Sequence, residues 1–402
     1  MNEAAIAAQC AFPHQMATVS EQQPLIKHRV RNDNFRHAPL PLGSFNMKPE
    51  ADTQRAEASA GESPAPEHSP GIRVGRELLE ATKPYAVESV ASSWWAVGSS
   101  FFLLIAALVA AGLPLGGFVR AGFSILAGLL MVRVFITYHD YMHGAILRHS
   151  ALAHLLFELY GAFALTPPRS WRRSHNYHHG HIGQLKGSGI GSFRIMTVRE
   201  WRVATPAQRA QYRVERHPLT VLLAYPTIFL INITLLPLFE NPRRHWDSVL
   251  SLLVHFGLIA ALWWWGGFAM AFFVILLPML VASVLGGYLF FSQHSFKRMI
   301  ILTPEAWTFY RAALESSSYL KLNKVMQWIT GNIGYHHIHH LNVRIPFYRL
   351  PEAMAAIPEL QSPATTSLSL REIRNCFQAN LWDEEKNRMV DYAEADQRVA
   401  RM

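Results

Sequence analysis

"FVRAGFSILAGLLMVRVFITYHDYMH", residues 118–143, governs how this chain folds. The run Phe118–Tyr138 is apolar and long enough to cross a bilayer, which takes about 20 residues. It continues directly into His139 and His143. On a helix, positions i and i+4 share one face. A membrane span that ends in two imidazoles on one face predicts ligands held at the bilayer surface.

The rest of the chain agrees with a membrane setting. Of 402 residues, 50% are hydrophobic and 16% charged, against about 25% charged in soluble domains. The net charge of +9 and pI near 9.6 sit beside apolar runs, which fits an anionic lipid surface better than nucleic acid. Cys10 and Cys376 form no CxxC pair, so no disulfide framework or zinc ribbon is legible. No cleavable secretory signal is read at the N-terminus.

Spans follow from length and charge. Ser93–Gly112 reads as a first span, Leu113–Gly117 as a tight turn and Phe118–Tyr138 as a second span, with Arg133 placed to snorkel. Residues 151–165 are too short to cross and read as interfacial. Residues 167–218 hold ten Lys/Arg against Glu200 and Glu215, which puts them in the cytoplasm. The stretch 219–239 contains Pro226, Asn232 and Pro237 and reads as re-entrant or in-plane. Residues 249–266 and 268–292 then make two further spans, turning at Gly266-Gly267, with Trp263-Trp264-Trp265 as an interfacial belt. This parity keeps every histidine cluster on one side, with both termini in the cytoplasm.

The predicted fold class is an all-α integral membrane protein with about four transmembrane helices and a cytoplasmic helical cap. Residues 1–73 read as a disordered extension, 74–355 as the membrane domain, and 356–402 as a cytoplasmic helical tail, with helices near 367–380 and 382–400.

Three histidine clusters carry the chemistry: His139/His143, His175/His178/His179 and His336/His339/His340. An HxxHH pattern is expected by chance ~0.05 times at this composition, and it occurs twice. Imidazole suits Zn, Cu, Fe and Ni. Eight or nine exceed the four ligands of one tetrahedral ion, so two ions are the economical reading. No HExxH or ExxH pattern is present. An all-histidine dinuclear site beside membrane spans points to iron and dioxygen chemistry on a lipid, although ligand type alone leaves the metal open. In "GYHHIHHLN", residues 334–342, helical geometry allows His336 with His339 and His340, or with His337 and His340. The offsets of the second cluster select His336, His339 and His340 and leave His337 out.

These motifs resemble the three histidine boxes of the membrane fatty-acid desaturases, within them the acyl-lipid type. "HDYMHGA", "HNYHHGH" and "HHIHHLN" match the boxes; "SWRRSHNYHH", "FFSQHSF" and "NIGYHHIHHLNVRIPFYRLPEA" match their surroundings. The resemblance covers residues 74–355. It implies that His139, His143, His175, His178, His179, His336, His339 and His340 are metal ligands, with His294 as a ninth. It implies Asp140 as an acceptor orienting an imidazole N–H, and Asn332 near a metal-bound water. It also implies two non-haem irons, O2 as co-substrate, a membrane-lipid acyl chain as substrate, and electrons from a separate donor such as ferredoxin or cytochrome b5. Tyr141-Met142 and Ser192 depart from the family pattern.

Other features read more plainly. His149, His154, His181, His217, His245 and His255 are not expected as ligands. Gly187-x-Gly189-x-Gly191 lacks the preceding strand of a phosphate loop and reads as a flexible turn. The arginines over 194–216 read as lipid-facing charge or a donor-docking surface. Rival functions are a lipid or carotenoid hydroxylase or ketolase on the same scaffold, and a non-catalytic metal-binding membrane protein. A transporter would place its ligands near the bilayer midplane, whereas these lie at span ends.

Overall fold

The computed structural model describes residues 73–400. The extension expected over 1–73 lies outside the described residues except for Arg73, which is paired with Glu359 at 2.8 Å. A short amphipathic helix, α1 (Gly75–Thr82), leads in and buries Leu78 and Thr82.

Helix α2 (Val90–Gly112) starts where the Ser89 side chain accepts from the Ser92 N–H, a side-chain cap for an otherwise orphaned donor. Helix α3 (Gly117–Met142) follows a short turn and packs along α2. Both are long and apolar enough to cross a membrane. Arg133 does not snorkel. It is buried in α3, donates to the Trp328 carbonyl, and lies 4.0 Å from the Trp328 ring. A planar cation stacked on an aromatic face, with one of its amines donating to a carbonyl, gains compensation for leaving water.

The interfacial stretch is α4 (Ala151–Phe163), capped by Ser150, and α5 (Pro168–His181) carries the second histidine cluster. Then Asp247–Gln293 forms a third apolar segment of 47 residues. It comprises α6 (Asp247–Ala271) and α7 (Leu277–Gln293), joined by a π-turn over Phe272–Leu276. A straight helix of that length would run ~70 Å at 1.5 Å per residue. Yet Asp247 bonds the start of α5, and His294, one residue past α7, touches His178 near its end. The chain must therefore reverse. It does so at Gly267, whose φ of 73° and ψ of −179° are non-helical and open to glycine alone at low cost. The two reversals lie at the same end of the bundle, because Arg120 bonds both the Ala111 and Ala269 carbonyls. Trp264, 93% exposed, stands beside this turn, as an interfacial aromatic should.

The stretch 219–239 forms short helices around a π-helix, Tyr225–Leu235. Its start packs against Gly287 of α7, and the chain just past its end reaches α5 through Asp247. Both ends lie at the histidine end of the bundle, as expected for an in-plane element.

The cap is not wholly helical. Strand β1 (Met196–Thr197) runs parallel to β4 (Leu381–Asp383), which pairs antiparallel with β5 (Arg388–Val390). Strand β2 (Tyr319–Lys321) runs parallel to β3 (Thr365–Ser367). The helix expected over 382–400 begins only at Tyr392, after this β4–β5 hairpin. Trp382, Met389 and Val390 face a core that local helical pattern does not reveal. The part of this tail from Thr365 to Val390 is thereby stitched to the body through β1 and β2.

Candidate metal centre

The centre stands on four supports. Helix α3 delivers His139 and His143 at its last turn. Helix α5 presents His175, His178 and His179. The end of α7 presents His294. A six-residue helix, α8 (His336–Leu341), presents His336, His339 and His340. Helix α5 has no capping side chain of its own, since Pro167 precedes it. Asp247 of α6 supplies the cap: its carboxylate accepts from the Arg169 and Ser170 N–H groups, both at 2.9 Å, and from the Ser170 hydroxyl at 2.6 Å. An anion at a helix N-terminus is favourable, and here it fixes a ligand-bearing helix. Sequence reasoning missed Asp247; an acid opening an apolar span was the available signal.

Nine imidazoles divide into two groups. One holds His139, His143, His175, His179 and His339; the other holds His178, His294, His336 and His340. Within each, one donor atom per residue lies within 4.8 Å of every other. Each HxxHH helix serves both groups. Helix α5 gives its i, i+4 pair to the first and His178 to the second; α8 gives its pair to the second and His339 to the first. The burial of His175, His178, His179, His336, His339 and His340 holds these imidazoles well below their ordinary pKa. They are neutral, the form that ligates metals.

The donor geometry fits a cation. His294 Nδ1 faces the Ser316 carbonyl at 3.3 Å, so that nitrogen carries the proton and Nε2 presents a lone pair. That lone pair lies 2.8, 3.1 and 3.3 Å from the Nε2 atoms of His336, His178 and His340. One atom cannot satisfy three such neighbours by hydrogen bonding. A metal–imidazole bond of about 2.1 Å puts neighbouring donors about 3.0 Å apart at a right angle and about 3.4 Å at a tetrahedral angle. The first group is similar: His175 lies 3.1 Å from both His143 and His179, and His339 lies 3.3 Å from His179.

The Asp140 carboxylate is bonded on both sides. One carboxylate oxygen accepts from His139 Nδ1 at 3.1 Å, and the other accepts the Phe347 N–H at 2.7 Å. The carboxylate thus ties an imidazole to the "IPFYRL" segment. The Asn332 side-chain amide donates to the Phe347 carbonyl at 3.2 Å from a left-handed backbone position, φ 55°. That bond ties the turn before α8 to the segment that follows it. His337 points away and bonds the Leu360 carbonyl at 3.1 Å. His255 bonds Tyr225 and the Phe163 carbonyl, and His181 bonds the Tyr177 carbonyl. Neither joins a group.

A helical bundle with three membrane-capable apolar helices and two all-histidine groups able to hold metal defines a class of membrane-type, histidine-cluster proteins. Comparison with known sequences narrows this class. The profile of the fatty acid desaturase family matches residues 115–368. A "Fatty acid desaturase" of Bacillus subtilis is 30% identical over 270 residues, 67% of this chain and 76% of that protein. An "sn-1 acyl-lipid omega-3 desaturase (ferredoxin)" of Nostoc sp. is 27% identical over 252 residues, 58% of this chain and 66% of its own length. A "Delta(12)-fatty-acid desaturase" of Arabidopsis thaliana is 22% identical over 352 residues, 79% of this chain and 86% of its own. The chain belongs to the fatty acid desaturase family, a family of oxidoreductases.

Proposed function

We propose that this enzyme desaturates an acyl chain carried on a membrane lipid, with two histidine-ligated irons, O2 and an external electron donor. The observation that carries this reading is the junction of bilayer and ligands. Helix α3 and the α7 arm run from the apolar bundle straight into His139 and His294. An acyl chain can reach the ligands from the hydrocarbon without crossing water. The named substrate of the Nostoc relative, an acyl lipid, supports the same class. The basic stretch 167–218 supports a cytoplasmic centre.

The residues have separable tasks. Nine imidazoles would hold the two irons, which supply the dioxygen chemistry when bound. Asp140 fixes His139 with its Nδ1 proton turned away from the centre, and the Ser316 carbonyl does the same for His294. Asp247 holds α5 in place. In balance, one O2, two electrons, two protons and two substrate hydrogens give a double bond and two waters.

Lipid profiling of an expressing host tests the reading. A new double bond at a defined position is the expected result. Hydroxy or keto products without one would shift the assignment to a hydroxylase or ketolase.

A further inference from the structure

One imidazole of the nine is only half-buried: His143, in the five-histidine group. Three arginines gather at this opening. Arg344 donates to the His143 and Gly144 carbonyls at 3.2 and 2.7 Å. Gly144 has φ +66°, and a Cβ there would lie 2.5 Å from Arg344 Nη1 and 3.8 Å from Arg148 Cβ. Arg148 and Arg344 thus flank this glycine from distant parts of the chain. The charged groups that bear on Arg344 are Arg148 and Arg172. The charges of Arg172 and Arg344 in turn both bear on His143.

These cations lack neutralising partners. All three are exposed. The stretches that supply them, 141–157, 166–181 and 341–351, contain no Asp or Glu. Among the described residues none of the three makes an ion pair, and Arg148 and Arg172 make no hydrogen bond. Two acids nearby are engaged elsewhere. Glu158, which Arg172 also attracts, faces His154 at 4.0 Å, and Glu88 accepts the Leu147 N–H at 2.7 Å. Guanidiniums with free N–H groups, gathered around one opening, suit a phosphate, whose oxygens accept from several directions.

The setting indicates where such a phosphate comes from. Arg148 lies between the end of α3, a membrane-length helix, and α4, whose Leu152, Leu155 and Leu159 are exposed along one face. An apolar stripe left open at the end of a span lies against lipid, so the anion at this level is a headgroup.

We propose that Arg148, Arg172 and Arg344 bind the phosphate of the phospholipid whose acyl chain is desaturated. The proposal rests on the desaturase reading and adds the headgroup class: a phosphodiester lipid in place of an uncharged glycolipid. The headgroup is held at the surface beside His143 and its chain is left free to enter the bundle. The same phosphate chemistry on a soluble carrier, an acyl-CoA, is the competing source.

The test offers the iron-loaded enzyme equal amounts of phosphatidylglycerol and monogalactosyldiacylglycerol with identical acyl chains. Retained lipid is read by native mass spectrometry, and turnover is read in nanodiscs of the same mixture with reduced ferredoxin as donor. The variant is Arg148→Gln/Arg172→Gln, with iron content as the check on folding. Arg371→Gln, an exposed cation elsewhere in the cap, is the control. We expect the parent to retain and convert phosphatidylglycerol in preference to the galactolipid. That preference should fall about tenfold in the double variant and hold in Arg371→Gln. An unchanged preference in an iron-loaded double variant would overturn the proposal, and so would a parent that favours the galactolipid. Conversion of stearoyl-CoA with the same arginine dependence, in place of phosphatidylglycerol, would overturn the lipid source. A parent that retains phosphatidylglycerol through these arginines but desaturates nothing would keep the phosphate site and count against the desaturase reading.

Discussion

The two histidine groups differ in how they are secured. The first has five members, two from the end of α3 and three from the HxxHH helices. The second has four, and only His294 is drawn from outside the boxes. Both HxxHH helices contribute to both groups, so the whole difference lies in His139 and His143 against His294. The first group has a spare ligand and a carboxylate behind it. The second has neither, and His294 is braced only by a backbone carbonyl. The group with fewer imidazoles therefore depends on a single side chain from outside the boxes.

That contrast is tested most directly at His294. His294→Ala should remove one iron of two, by metal analysis, and lower turnover about a thousandfold or more, whereas His143→Ala leaves four imidazoles in place and should keep nearly two irons. Equal metal loss in both variants would abolish the distinction. Asp140→Asn probes the brace of the first group. An amide can present an oxygen to only one of its two donors, so activity or iron affinity should fall about 10- to 100-fold. Asp247→Ala should leave two buried N–H groups at the start of α5 without their acceptor. A loss of about 2–3 kcal/mol in unfolding free energy is expected, with iron leaving both groups together because α5 serves both. The smallest effect belongs to His337→Gln, which should hold iron content and keep activity within a few-fold, with about 1 kcal/mol lost from the bond to Leu360. A loss of iron there would reinstate His337 as a ligand.

Much of the centre is legible in the amino-acid sequence. Histidine spacing selects eight residues, and the pattern shared by two boxes separates His337 from its neighbours. Family resemblance adds His294. The partition is not legible, since nothing in "HNYHH" says that His178 leaves His175 and His179 to join His336 and His340. The bond from Asn332 to the Phe347 carbonyl is likewise not legible, because it joins the turn before α8 to a segment 15 residues on. The strands at 381–390 escape sequence reading because their partners, β1 among them, lie far away along the chain, and short strands have little local signature.

Length, hydropathy and spacing are local quantities, and they suffice for the apolar spans, their reversal at Gly267 and eight of the nine imidazoles. Packing settles which imidazoles lie together and that Asp247 caps the helix carrying three of them. Each of those requires residues tens to hundreds of positions apart to meet, and only the packed bundle fixes their distances.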